Sequence, residues 1–318
     1  MTSTKSSRQR LRTRLGDESG QTTFFVLCSF MTFFMFFALV ANVGQAVNRR
    51  VLLQMVADAG AFSGASAQAT ALNTIAEFND IIDTSWDVTT VLMLGWTIQY
   101  CGVDEVITRI YQAIEIIMST LIRVTNHGGA AWSIMEAEMV TRENIRQLFP
   151  DGSVHSPLDS FPSLLSSPGG GGLGASHIYN LNQAWPSLFS GVQLVRLKQK
   201  TATRAWTCYS YPVTFQGKSR DFNLSWEKED DDEVTRFYWW VTADPVDVLV
   251  LPRTASMPFG FPQLPAMTAV ALAKPVGGDI EPGGEGANYV ARMVPLSIID
   301  AKFLNLGGSL PSLTEVLH

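Results

Sequence analysis

The sequence predicts an α+β protein: a long amino-terminal membrane-spanning helix continuing into a helical bundle, followed by a small antiparallel β-rich domain. Three observations predict it. Residues 21–41 carry no charge and no proline, and a proline-free stretch with helical apolar period follows to Phe78. Past residue 177, short aromatic and β-branched runs alternate with turn residues.

The apolar run is the first element. At about 1.5 Å per residue it crosses a hydrocarbon core of roughly 30 Å, and we place the span at about 22–43. Its hydroxyls (Thr22, Thr23, Ser29, Thr32) can bond back to carbonyls one turn earlier. Lys5, Arg8, Arg10, Arg12 and Arg14 precede it. Cationic flanks stay in the cytoplasm, so residues 1–20 form a basic cytoplasmic leader and everything past Gly44 lies outside. A secretory signal peptide has a shorter apolar core and a small-x-small cleavage site, and neither is found.

The long helix is expected over 21–80, ~55–60 residues and on the order of 85 Å long. One of its faces becomes very small at Ala57, Gly60, Ala61, Gly64, Ala65 and Gln68. Such a stripe admits close approach of another helix, from the same chain or a neighbour. Larger side chains there are expected to weaken assembly while the β-rich domain keeps its fold.

A helical region follows over 81–150. Asp83-Thr84-Ser85 can cap a helix over 86–100, and Gly102-Val103-Asp104-Glu105 can start one ending at Asn126-His127-Gly128-Gly129. In it Val106, Ile110, Ala113, Ile117 and Leu121 share a face, and a third helix occupies 130–148. Short connections favour antiparallel packing beside the long helix. Residues 151–176 are a Gly/Ser/Pro-rich linker; its glycine tract has neither the preceding strand nor the following lysine of a phosphate-binding loop.

Residues 177–318 form the β-rich domain, with strands expected at 193–198, 203–211, 222–226, 236–242, 246–251, 267–274 and 288–294. Phe237-Tyr238-Trp239-Trp240 is apolar on both faces and suits a covered central strand. The acidic run from Glu227 to Glu233 lacks the spacing and glycine of a calcium loop and reads as a hairpin tip.

Gly20-Gln21, the apolar span, Arg49-Arg50 and Leu53-Gln54-Met55-Val56-Ala57-Asp58-Ala59-Gly60-Ala61 together resemble the amino-terminal region of TadE/TadG-like proteins. These belong to tight-adherence (Tad, Flp-type) pilus systems of the type IV filament superfamily. The resemblance covers about seventy residues. It implies an inner-membrane pseudopilin (minor pilin) or assembly component, with other pilin-like subunits and Tad machinery as partners, in a homo- or hetero-oligomer. It also implies a prepilin peptidase cutting between Gly20 and Gln21. Pilins carry a glutamate five residues after the cut, where this chain has Phe25; TadG-type members often lack that acid.

The remaining chemistry is sparse. A formal net charge of −6 combines a basic tail with a more acidic remainder, and no basic stripe with interleaved aromatics follows the span, so nucleic acid is not an expected partner. His127, His155, His177 and His318 lack metal-ligand spacing, and no nucleophile-elbow pattern occurs. We expect no catalytic residues, metal or cofactor. Of the three cysteines, Cys28 lies in the span, whereas Cys101 and Cys208 lie outside, where a disulfide between them is permitted though spacing does not dictate it. The expected location is the bacterial inner membrane, single pass, with the bulk periplasmic or in an extracellular filament. The alternative is a single-pass sensor or adhesin whose β-domain binds a partner.

Overall fold

The computed structural model describes residues 18–95, 100–159, 193–212, 214–229, 236–249, 263–282 and 286–294. The basic leader before residue 18, the glycine tract, the acidic residues 230–233 and the chain end past residue 294 lie outside the described residues.

The fold is α+β. Helix α1 (Glu18–Gly95, 78 residues) is followed by α2 (Cys101–Leu148, 48 residues). Six strands come next: β1 (Val154–His155), β2 (Leu197–Ser210), β3 (Thr214–Lys228), β4 (Phe237–Ala243), β5 (Met267–Val276) and β6 (Val290–Met293). They make a four-stranded sheet of order β1-β4-β5-β6 and a separate antiparallel β2–β3 hairpin.

Two compact units divide the chain. One combines Met1–Leu52 with Asp244–Met267. Within it, α1 is apolar and exposed on every side through Phe37, with Phe25, Phe30 and Phe33 each about three-quarters exposed. Thr32 donates to the carbonyl of Cys28 at 2.8 Å, as a hydroxyl does in an apolar setting. From Ala38 one face closes. Ala38 and Asn42 are buried, Gln45 Oε1 accepts from Leu249 N at 2.8 Å, and Arg49 donates to the Asp244 carbonyl at 3.2 Å. Over 246–249, the described part of the strand expected at 246–251, pairing is limited to one isolated antiparallel bridge, Val246 to Leu264.

The other unit comprises Leu53–Ala243 and Thr268–His318. Leu72, Ile75 and Ile82 of α1 meet Ile122 of α2, Leu194, Trp226, Ile280 and Tyr289 in its core. β4 lies inside its sheet with Phe237, Trp239 and Trp240 buried, as its two-sided apolarity suggests. β1 comes from before the linker and pairs Val154 with Ala243 and His155 with Thr242, so the sheet does not belong to residues 177–318 alone.

Two expected helix breaks are absent, for one reason. Asn79 is fully buried within α1, its amide accepting from Trp226 N and donating to the Trp226 and Ile280 carbonyls. Asn126 does the same within α2, accepting from Leu194 N and Val195 N and donating to the Val195 carbonyl. Asn73 adds a third such pair with Tyr289. A carboxamide presents the donor and acceptor of a peptide, so each asparagine supplies hydrogen bonds that a neighbouring strand would otherwise give. Gly128-Gly129 does not end α2 either, because Gly129 gives Ala71 and Leu194 room to approach.

The hairpin is longer than its apolar alternation indicates. β2 and β3 pair without interruption from Leu197–Lys228 to Ser210–Thr214, apart from one irregularity at Lys200/Thr201. Backbone pairing carries it through residues such as Lys218, Ser219 and Arg220 that pattern reading leaves as loop. Its turn is at Tyr211-Pro212, while residues 230–233 of the acidic run, expected as a hairpin tip, lie outside the described residues. Glu227 sits inside β3, where Lys200 donates to it at 2.8 Å and, with Lys198, holds its carboxyl below the usual range.

Asn79→Ala is expected to leave the Trp226 amide and carbonyl unpaired in a dry core and to cost about 2–4 kcal/mol. Thermal unfolding followed by tryptophan fluorescence checks this; an unchanged midpoint would mean that water replaces the amide.

Candidate functional site

The small-residue stripe is the most closely packed surface of α1. Ala57, Ala61 and Ala65 are fully buried. A Cβ on Gly60 would collide with the Trp239 ring and the Thr141 hydroxyl, and one on Gly64 with the Phe237 ring. Phe237 and Trp239 stack at 5.7 Å between ring centres, and Trp239 Nε1 donates to Thr141 Oγ1 of α2 at 2.7 Å. Gln68, also buried, continues the same face, and Gln54 one turn before Ala57 donates to the Val270 carbonyl of β5 at 3.1 Å. The stripe thus receives the aromatic face of the chain's own sheet, together with α2.

The second helix meets the strands through polar groups. Asp104, Thr108, Tyr111, Ser119, Asn126, Glu138 and Thr141 are buried on it, beside the apolar Ile122, Ala130, Ile134 and Ala137. Asp104 accepts from Trp206 Nε1, with Lys218 Nζ at 3.8 Å. Tyr111 donates its hydroxyl to the Asn223 carbonyl, and burial pushes that phenol well above its ordinary pKa. Ser119 accepts from Trp226 Nε1 at 3.0 Å. Glu138 accepts from Ser156 and from Arg142, which also reaches Asp159 at 2.7 Å. With polar residues turned inward, the apolar face expected to pack beside α1 is turned outward: Val106, Ile110 and Ile117 are each more than half exposed. Sequence pattern alone cannot show this, because it takes an apolar stripe to be the buried one.

A covalent link fixes the same region. Cys101, at the start of α2, is joined to Cys208 of β2 with Cα atoms 5.0 Å apart, across 107 residues of sequence. Beside it Tyr100 and Tyr209 lie 4.9 Å apart, and the two residues form an isolated bridge. Trp86, Tyr111, Trp206 and Phe222 form an aromatic cluster, and Arg204 sits over Trp86 while donating to Thr90. Cys28 is unpaired and exposed, in a shallow groove with Ser29, Thr32 and Phe33. Gly20 lies inside α1, which starts before the expected cut at Gly20–Gln21. Among the described residues, no three His, Cys, Asp or Glu side chains are placed to hold a metal.

Gly64→Leu is expected to act on the fold itself, because the Phe237 ring occupies the space the new side chain needs. Overpacking of this kind costs about 1–3 kcal/mol, at the upper end where a ring rests directly on the helix backbone. A melting midpoint equal to the parent's would show that Phe237 does not pack on Gly64.

Among curated proteins and among solved structures nothing matches this chain. Among the described residues one helix, α1, is long and apolar enough to cross a membrane by length and composition. Residues 20–67, which hold the exposed apolar segment and most of the small-residue stripe, match the family model described as putative Flp pilus-assembly TadE/G-like.

Proposed function

We propose that the protein is a TadG/TadE-like pseudopilin, or an assembly component, of a bacterial Tad-type pilus or secretion machine, acting without catalysis. The observation that carries this reading is the coincidence of the family match over 20–67 with a helix apolar on every side. In this reading the segment about 22–43 spans the inner membrane with its amino terminus in the cytoplasm. The remainder faces the periplasm or a filament surface, and the partners are other pilin-like subunits and Tad machinery. The Cys101–Cys208 disulfide is in keeping with an oxidising compartment. If a prepilin peptidase cuts between Gly20 and Gln21, the basic tail is lost and only an apolar helix end holds the subunit in lipid. That is the state from which extraction into a filament is feasible.

One observation favours the second reading, a membrane-anchored sensor or adhesin. The stripe that would pack a neighbouring subunit is filled by Phe237 and Trp239 of the same chain, while Tyr211 and Phe215 at the hairpin turn are 85% and 73% exposed. A tether with an exposed contact tip needs nothing more.

The intact mass of protein purified from its own host separates these cases. A mature chain starting at Gln21 is the expected result, and an uncut chain would fit a membrane-resident TadG-like component. A start near Asn48 would mean ordinary signal peptidase and would overturn the pseudopilin reading. A reporter fused after Val294 is expected to be active only outside the cytoplasm.

A further inference from the structure

Helix α2 carries an apolar stripe that nothing in the described fold covers. Val106, Ile110, Ile117, Val124, Met135 and Met139 follow one another on its outer face and are 50% to 62% exposed. Steps of three and four residues keep them, with the apolar residues between, in one straight line along most of the helix. Half-exposed or more along most of a 48-residue helix, the line is of a size to form one side of a standard protein interface, about 800 Å².

Charge decides what can cover it. The line has no charged residue from Val103 to Met139. A helix that lies on lipid carries lysine or arginine beside its apolar face. Here all four arginines of α2 are engaged within the chain: Arg109 with Glu105, Arg123 over the Trp226 ring, Arg142 with Glu138 and Asp159, and Arg146 with Glu143. An uncharged line also meets its own copy without like-charge repulsion, and a two-fold interface must be self-complementary. We propose that α2 is the homodimer interface of this protein, with the stripe of one copy packed against that of a second. The proposal does not depend on entry into a filament.

Cross-linking of the purified full-length chain tests it, using two differently tagged copies co-expressed in a Cys28→Ala background. A short bis-maleimide is expected to join the two tags through Ile117→Cys and through Val124→Cys at least ten-fold more than through Glu105→Cys or Gln147→Cys, which lie off the line. Adding Ile110→Glu should lower the Val124→Cys product at least ten-fold while the Cys101–Cys208 disulfide still forms, which shows that the unit is folded. Equal linkage on and off the line would overturn the proposal. So would protection of Ile117→Cys from maleimide without any dimer, which would mean that another segment of the same chain covers the stripe. Quenching of an Ile117→Cys label by spin-labelled lipid in vesicles, again without a dimer, would assign the face to the membrane instead.

Discussion

A sheet can lie on a helix only as closely as the helix's side chains allow, and this fold depends on that distance at one place. Gly60 and Gly64 remove the side chains where Trp239 and Phe237 arrive, so the stacked pair rests directly on the α1 backbone. The approach brings Trp239 Nε1 within reach of Thr141, which ties α2 to the same point. A buried tryptophan contributes a large apolar area, and its one donor must still find an acceptor. Three elements therefore meet at two glycines, and a larger residue at either would separate all of them.

The second helix solves a different problem. Among its neighbours are strand edges and tryptophan N–H groups, and a wholly apolar surface would leave their polar atoms unpaired in a dry interior. Asp104, Tyr111, Ser119, Asn126 and Thr141 answer those groups one by one. Specificity follows, since each bond fixes one register of helix against strand. The Cys101–Cys208 bond fixes the helix start, and closing a loop of 107 residues removes much of the freedom of the unfolded chain.

This explains what was legible in the sequence and what was not. The apolar segment, its continuation into one long helix and the covered strand at Phe237-Tyr238-Trp239-Trp240 follow from composition and period, which report on local burial. Helix ends did not, because Asn79, Asn126 and Gly129 are residues of turns in isolation and residues of close contact here. The orientation of α2 was illegible for the converse reason. Its buried face is chosen by hydrogen-bonding partners up to 112 residues away, the separation of Asn223 from Tyr111, and no window of sequence contains both. The stripe at Ala57–Ala65 was legible as a place of close approach, while the identity of what approaches required the sheet to be in view.

Consequences for assembly follow from which faces remain after folding. A surface already filled inside the subunit cannot also be a contact between subunits, so the glycine stripe sets the shape of the protomer and leaves association to other surfaces. Among the described residues, two candidates with apolar area to bury are the segment of α1 exposed on every side through Phe37 and the outer line of α2. They differ in physics. In lipid the apolar character of α1 gives no drive toward another helix, and contact there relies on packing and on hydroxyls such as Ser29 and Thr32. In water the line on α2 is driven by burial itself. An anchored protein that associates mainly through α2 would therefore pair independently of the state of its membrane helix, and extraction of that helix from lipid would not by itself dissolve the pair.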